Sequence, residues 1–132
     1  MPGNQNQQVR STQATAKSIL LVEDDGAIAE LLVQMITQET PYRVFAVPDG
    51  PQALELVKDL KPNLLLLDYW LPTIHGIDLY DRLCAAEELA QVPTIMLSVN
   101  APLQEIKKRK ITYMKKPFDV DKLLQTIHTL LV

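Results

Sequence analysis

Residues 63–76 read Asn-Leu-Leu-Leu-Leu-Asp-Tyr-Trp-Leu-Pro-Thr-Ile-His-Gly. Four consecutive leucines, Leu64 to Leu67, have the form of a short strand buried on both faces, as in the middle of a parallel sheet. Asp68 stands where that strand ends. Pro72 and Gly76 follow at the spacing of a loop that turns back into a helix. Open α/β sheets collect ligands and chemistry outside the carboxyl ends of their strands. Asp68 is therefore a candidate for chemistry, with a helix N-cap as the ordinary alternative.

Working outward, short apolar runs alternate with amphipathic segments. Ser18–Glu23 is predicted as a first strand. Ile28, Leu31, Leu32, Met35 and Ile36 give Ala27–Gln38 one apolar helical face. Pro41 breaks that helix, and Tyr42–Val47 has the aromatic and β-branched content of a second strand. Asp49-Gly50 is a turn, and Pro51 suits the first position of a helix running to Leu60. A third helix starts at Gly76 and runs through Leu83, its end left open because residues 85–90 could prolong it. Pro93–Ser98 is a fourth strand, Pro102–Lys110 a short fourth helix and Ile111–Lys115 a fifth strand. Asp119 is placed to cap a last helix whose Leu123, Leu124, Ile127, Leu130 and Leu131 face inward.

Five βα units with short links imply an α/β fold with a five-stranded parallel sheet and helices on both faces. Right-handed crossovers allow few topologies, among them the flavodoxin-like strand order 2-1-3-4-5. The chain of 132 residues suits one domain, and such a domain buries roughly two-thirds of its unfolded surface. Residues 1–17 are rich in Gln, Asn, Ser and Thr, and are expected to form a disordered N-terminal tail before a domain over 18–132. The net charge of −3 argues against nucleic acid as a direct partner. The single cysteine, Cys84, reads as a buried structural thiol in a reducing compartment. The apolar runs are too short to span a membrane, and the N-terminus lacks a charged-then-apolar leader, so a cytoplasmic location is expected.

The strand ends carry the chemistry. The first ends in Glu23-Asp24-Asp25, the third in Asp68, the fourth in Ser98 and the fifth in Lys115-Lys116-Pro117. In the order 2-1-3-4-5 these converge on one edge. Clustered carboxylates raise one another's pKa, and Mg²⁺ with oxygen ligands and retained waters relieves the repulsion.

With those residues in view, Ser18–Val132 resembles the receiver domain of two-component response regulators, in particular single-domain, chemotaxis-regulator-like members. The motifs are Leu-Leu-Val-Glu-Asp-Asp at 20–25, Asp-Gly-Pro-Gln-Ala-Leu at 49–54 and Leu-Asp-Tyr-Trp-Leu-Pro at 67–72 with Gly76. Pro-Thr-Ile-Met-Leu-Ser at 93–98 and Tyr-Met-Lys-Lys-Pro-Phe at 113–118 complete the set. The resemblance implies that Asp68 accepts a phosphoryl group from a histidine kinase or histidine phosphotransfer protein. It implies Asp24 and Asp68 as direct Mg²⁺ ligands, Glu23 acting through water, and the Trp70 backbone carbonyl as a further ligand. Ser98 matches the switch hydroxyl, Tyr113 the switch aromatic and Lys116 the ammonium that pairs with the phosphoryl group, aimed by a cis Lys116–Pro117 peptide. Such a domain is a phosphoacceptor with self-phosphorylation and self-dephosphorylation chemistry, not a turnover enzyme. With nothing after the last helix to serve as an output domain, output is expected through a downstream protein or a homodimer across the helix 4–strand 5–helix 5 face.

The chain also departs from the pattern. Family members usually have about four more residues, one helical turn, between the switch hydroxyl and the lysine. Arg109-Lys110-Ile111-Thr112 replaces the usual Gly-Ala turn. Val99, where a small residue is usual, is expected to narrow access to Asp68, and Trp70 to shield an acyl phosphate from water. Lys107–Lys110 reads as a solvated helix end complementing the helix dipole; His75 as a loop residue, not a metal ligand; and His128 as exposed. A flavin-binding flavodoxin would need a hydroxyl-rich phosphate loop where three acids stand. A haloacid-dehalogenase-type phosphatase would need a second Asp where Trp70 stands. The stronger alternative is a receiver-shaped docking module acting independently of phosphorylation.

Overall fold

A computed structural model describes residues 16–132. The expected tail lies outside the described residues, apart from Ala16 and Lys17. Lys17 already touches the fold: its carbonyl accepts from the Arg43 N–H at 2.9 Å and its ammonium bonds the Leu131 carbonyl.

Among the described residues, β1 (Ser18–Val22), β2 (Arg43–Val47), β3 (Leu64–Asp68), β4 (Thr94–Ser98) and β5 (Thr112–Lys115) form one parallel sheet. Its order is β2-β1-β3-β4-β5, the flavodoxin-like arrangement. The helices are α1 (Gly26–Glu39), α2 (Gly50–Leu56), α3 (Gly76–Cys84), α4 (Leu103–Lys108) and α5 (Val120–Leu131). The open end of α3 is settled at Cys84, and a separate 3₁₀ turn at Glu87–Leu89, anchored by fully buried Leu89, follows it.

The leucine run explains the layering. Successive strand side chains alternate faces, so Leu65 and Leu67 join Leu20, Val22 and Met96 under α2, α3 and α4. Leu64 and Leu66 join Ile19, Leu21, Ile95 and Leu97 under α1 and α5. All four are fully buried, and each contributes about 1.5–3 kcal/mol by leaving water. Asn63 ties the entry of β3 to β1, accepting from the Ser18 N–H at 2.9 Å and donating its own N–H to the Ser18 carbonyl at 2.8 Å. The helices begin as their caps dictate: Asp25, Asp49 and Asp119 each accept from first-turn N–H groups of α1, α2 and α5.

Three local expectations change. Leu31, assigned to the apolar face of α1, is 52% exposed, while Leu32 and Ile36 fill the core. Cys84 is half-buried rather than buried, though burial still pushes its thiol up. Arg109 is not a solvated helix end. Its guanidinium grips Asp81 of α3 through two bonds of 2.8 Å and Glu105 of α4 at 3.0 Å. Hydrogen bonds from Arg109 hold the Asp81 carboxyl below its ordinary range. Tyr80, pushed up to about 12 chiefly by burial, reaches the Arg109 carbonyl. This clamp fixes the end of the short α4. Lys107 and Lys108 are exposed as expected.

Lys110 then turns the chain into β5 with φ at 57°, a left-handed conformation that crowds Cβ against the carbonyl. Glycine adopts it freely. Lys110→Gly is therefore expected to stabilise the protein by about 0.5–1 kcal/mol, the strain relief exceeding the added chain entropy. A urea midpoint at or below that of the parent would refute the strain.

Candidate functional site

The strand register puts the chemistry-bearing residues at one edge. Val22 pairs with Leu67, Asp68 with Leu97 and Ser98 with Lys115, so Glu23, Asp68, Ser98 and Lys116 all emerge at the carboxyl ends of neighbouring strands. Glu23 and Asp68 are 3% and 5% exposed and Ser98 is fully buried, whereas Asp24 faces solvent.

Glu23, Asp24 and Asp68 offer oxygens that all lie within 4.8 Å of one another. Burial, and after it the nearby Asp68 charge, pushes the Glu23 carboxyl above its ordinary value of 4.5. Lys116 offsets part of this repulsion, its ammonium lying 3.2 Å from Glu23 Oε2 and 3.6 Å from Asp68 Oδ1. The Lys116–Pro117 peptide is cis, as expected. Asp25, the third acid of the run, turns outward to cap α1, and its N–H donates to Glu23 Oε1 at 3.2 Å. An all-oxygen set, two of its members buried, fits a hard divalent cation better than a soft one.

Around this centre, the Trp70 N–H donates to Asp68 Oδ1 at 3.4 Å, laying the start of the β3–α3 loop against the carboxylate. The indole is 53% exposed and sits edge-on to Tyr69 and His75, with centroids 4.8 and 5.4 Å away. His75 is thus an exposed packing residue at the N-cap of α3, outside the acidic cluster. Val99 projects outward, 62% exposed. The Ser98 hydroxyl donates to the Asn100 carbonyl at 2.7 Å and accepts the Asn100 N–H at 3.1 Å. Tyr113 is half-buried and donates its hydroxyl to the Ser98 carbonyl at 3.1 Å. His128 is exposed on α5, 3.3 Å from the Tyr42 hydroxyl. Asn100 had no role in the sequence reading, because its part is played by main-chain atoms that no side-chain motif reports.

Comparison with known proteins agrees with this geometry. The family described as "Response regulator receiver domain" matches residues 19–128. The DNA-binding dual master transcriptional regulator RpaA of Synechocystis is 32% identical over 86% of this chain and 48% of its own length. Sporulation initiation phosphotransferase F of Bacillus subtilis is 31% identical over 84% of this chain and 90% of its own. The chain thus spans about half the length of the first of these relatives and most of the second. Among solved structures, a CheY-like receiver domain protein from Methanospirillum hungatei superposes with a TM-score of 0.79 at 27% identity, covering 89% of this chain and 94% of that one. Among the described residues no helix is long and apolar enough to cross a membrane. The acidic cluster at the strand ends, the 2-1-3-4-5 sheet and the match over 19–128 together make this chain a member of the response regulator receiver domain family of two-component systems.

Proposed function

We propose that Asp68 is the phosphoacceptor of a two-component phosphorelay, working in the cytoplasm. The observation that carries this reading is one centre: three carboxylates within 4.8 Å, two of them buried, with the Lys116 ammonium 3.2 and 3.6 Å from those two. Receiver domains are signalling modules that interact with histidine kinases or phosphotransfer proteins. Here a carboxylate oxygen of Asp68 attacks the phosphorus of a phosphohistidine on such a partner. The P–N bond breaks, the imidazole leaves with a proton, and an acyl phosphate remains. Asp24 and Asp68 would hold Mg²⁺ directly and Glu23 through water, with the Trp70 carbonyl as a further ligand; the ion would supply charge neutralisation at the phosphoryl oxygens, most of what this reaction requires beyond in-line positioning. Lys116 passes from the carboxylates to one phosphoryl oxygen as a compact point charge, and the Ser98 hydroxyl bonds another.

The added phosphate carries up to two negative charges, enough to bias a poised loop. Tyr113 sits beside that loop and also lines an open apolar groove of about 340 Å³ with Leu103, Ile106 and Ile111. We assign output to this α4–β5–α5 face, through a downstream protein or a second copy of the chain. The rival reading, docking without phosphate, draws on the six residues of α4. The sole tryptophan separates the two. Its fluorescence is expected to respond saturably to millimolar Mg²⁺ in the native protein and not in Asp68→Asn. A flat titration in the native protein favours the docking module.

A further inference from the structure

We propose that Trp70 is a positioning residue whose indole N–H pins the β4–α4 loop and keeps the Ser98 hydroxyl turned away from Asp68; this rests on the receiver reading above. The Asn100 carbonyl accepts two bonds, from the Ser98 hydroxyl at 2.7 Å and from the Trp70 indole at 2.9 Å. Ser98 in turn accepts from the Asn100 N–H. The single proton of that hydroxyl, the one it would need to bond a phosphoryl oxygen, is thereby committed to the loop, along with one of its two acceptor positions.

Val99 and Asn100 are exposed. Ala101 packs against the core, but among the described hydrogen bonds the indole supplies the one to residues 99–102 from outside the β4–α4 segment. The tether is rigid at its other end, since Tyr69 and His75 flank the ring edge-on and the Trp70 N–H is fixed on Asp68 Oδ1. For Ser98 to reach a group on Asp68, its bond to the Asn100 carbonyl must open. The loop can then withdraw or fold inward only by giving up the indole as well. Trp70 thus links the loop after the acceptor to the loop after the switch hydroxyl and biases the pair toward rest. The bias acts through the N–H, not through the bulk of the ring.

The chain has one tryptophan, so the indole proton gives a single, assignable nuclear magnetic resonance. In the full chain with Mg²⁺ alone that proton is expected to exchange slowly with solvent. Saturating beryllofluoride, a phosphoryl mimic, is expected to shift it and speed its exchange. Trp70→Phe, which keeps a ring and loses the donor, is expected to bind beryllofluoride about three- to tenfold more tightly, the worth of one hydrogen bond no longer broken. A merely structural role would lower the denaturation midpoint without tightening binding. An indole resonance unmoved by the mimic, or Trp70→Phe binding at or below native affinity, overturns the tether while leaving Asp68 as the acceptor. A native protein that binds no beryllofluoride overturns the acceptor reading, and the tether with it.

Discussion

Asp68→Asn is expected to abolish phosphate uptake while leaving the fold intact. An amide oxygen cannot form the acyl phosphate, so labelling by a phosphohistidine donor with Mg²⁺ should fall by about a thousandfold or more, to background. The substitution is close to isosteric, and residue 68 is paired in β3 against Leu97. It also removes a charge that helps push the Glu23 carboxyl up. The buried centre then has one carboxylate fewer for Lys116 to balance. The variant's denaturation midpoint should therefore equal or exceed that of the native protein. Loss of labelling at undiminished stability identifies the lost nucleophile, because an unfolding artefact would lower both. If intact-mass measurement finds phosphate on the variant at the native rate, the acceptor lies elsewhere. If the native protein takes up none from any histidine donor, and Asp68→Asn binds its downstream partner undiminished, the docking module is the correct description.

Much of this was legible in the sequence because the decisive signals are local. Leu64–Leu67, bounded by Pro62 and by Pro72 with Gly76, reads as a two-sided buried strand, and the fold buries all four. The acids and the ammonium at the strand ends then meet, with Ser98 at the neighbouring strand end, because strand order and register bring those ends together. What escaped depends on partners far along the chain or on main-chain atoms. Arg109 sits in a run of cations and reads as solvated, yet its partner Asp81 lies 28 residues away on another helix. Leu31 has helical spacing with Ile28 and Met35, but periodicity gives the direction of an apolar stripe and not its width. The Ser98 hydroxyl could be placed at the strand end from its position in the sequence. Its resting engagement with the Asn100 carbonyl could not, since every residue carries such a carbonyl.

Gly76→Ala should damage the site although residue 76 carries no functional group. The glycine opens α3 directly beneath Asp68: its N–H donates to the Tyr69 carbonyl at 2.8 Å. A methyl group there would lie 2.7 Å from the Asp68 carbonyl oxygen and 2.8 Å from Tyr69 Cα. Both are backbone atoms with no rotamer to yield. Asp68 is locked in the sheet, so the start of α3 must move out, or the turn at Tyr69 and Trp70 must shift. Alanine gains up to about 1 kcal/mol in helix propensity, but overpacking against rigid neighbours costs about 1–3 kcal/mol, and the clash decides the sign. The denaturation midpoint should fall. Mg²⁺ affinity and phosphate uptake should fall with it, because the Trp70 N–H that steadies Asp68 is displaced. Gly50→Ala is the control. Its methyl group would meet Ile74 Cβ at 3.1 Å and Cδ1 at 3.2 Å, milder approaches than those at residue 76: a rotamer change relieves the second, and a shift of a few tenths of an ångström the first. It should cost less stability and leave Mg²⁺ binding unchanged. Equal effects at the two glycines would mean that the close approach of α3 to Asp68 does not position the acceptor.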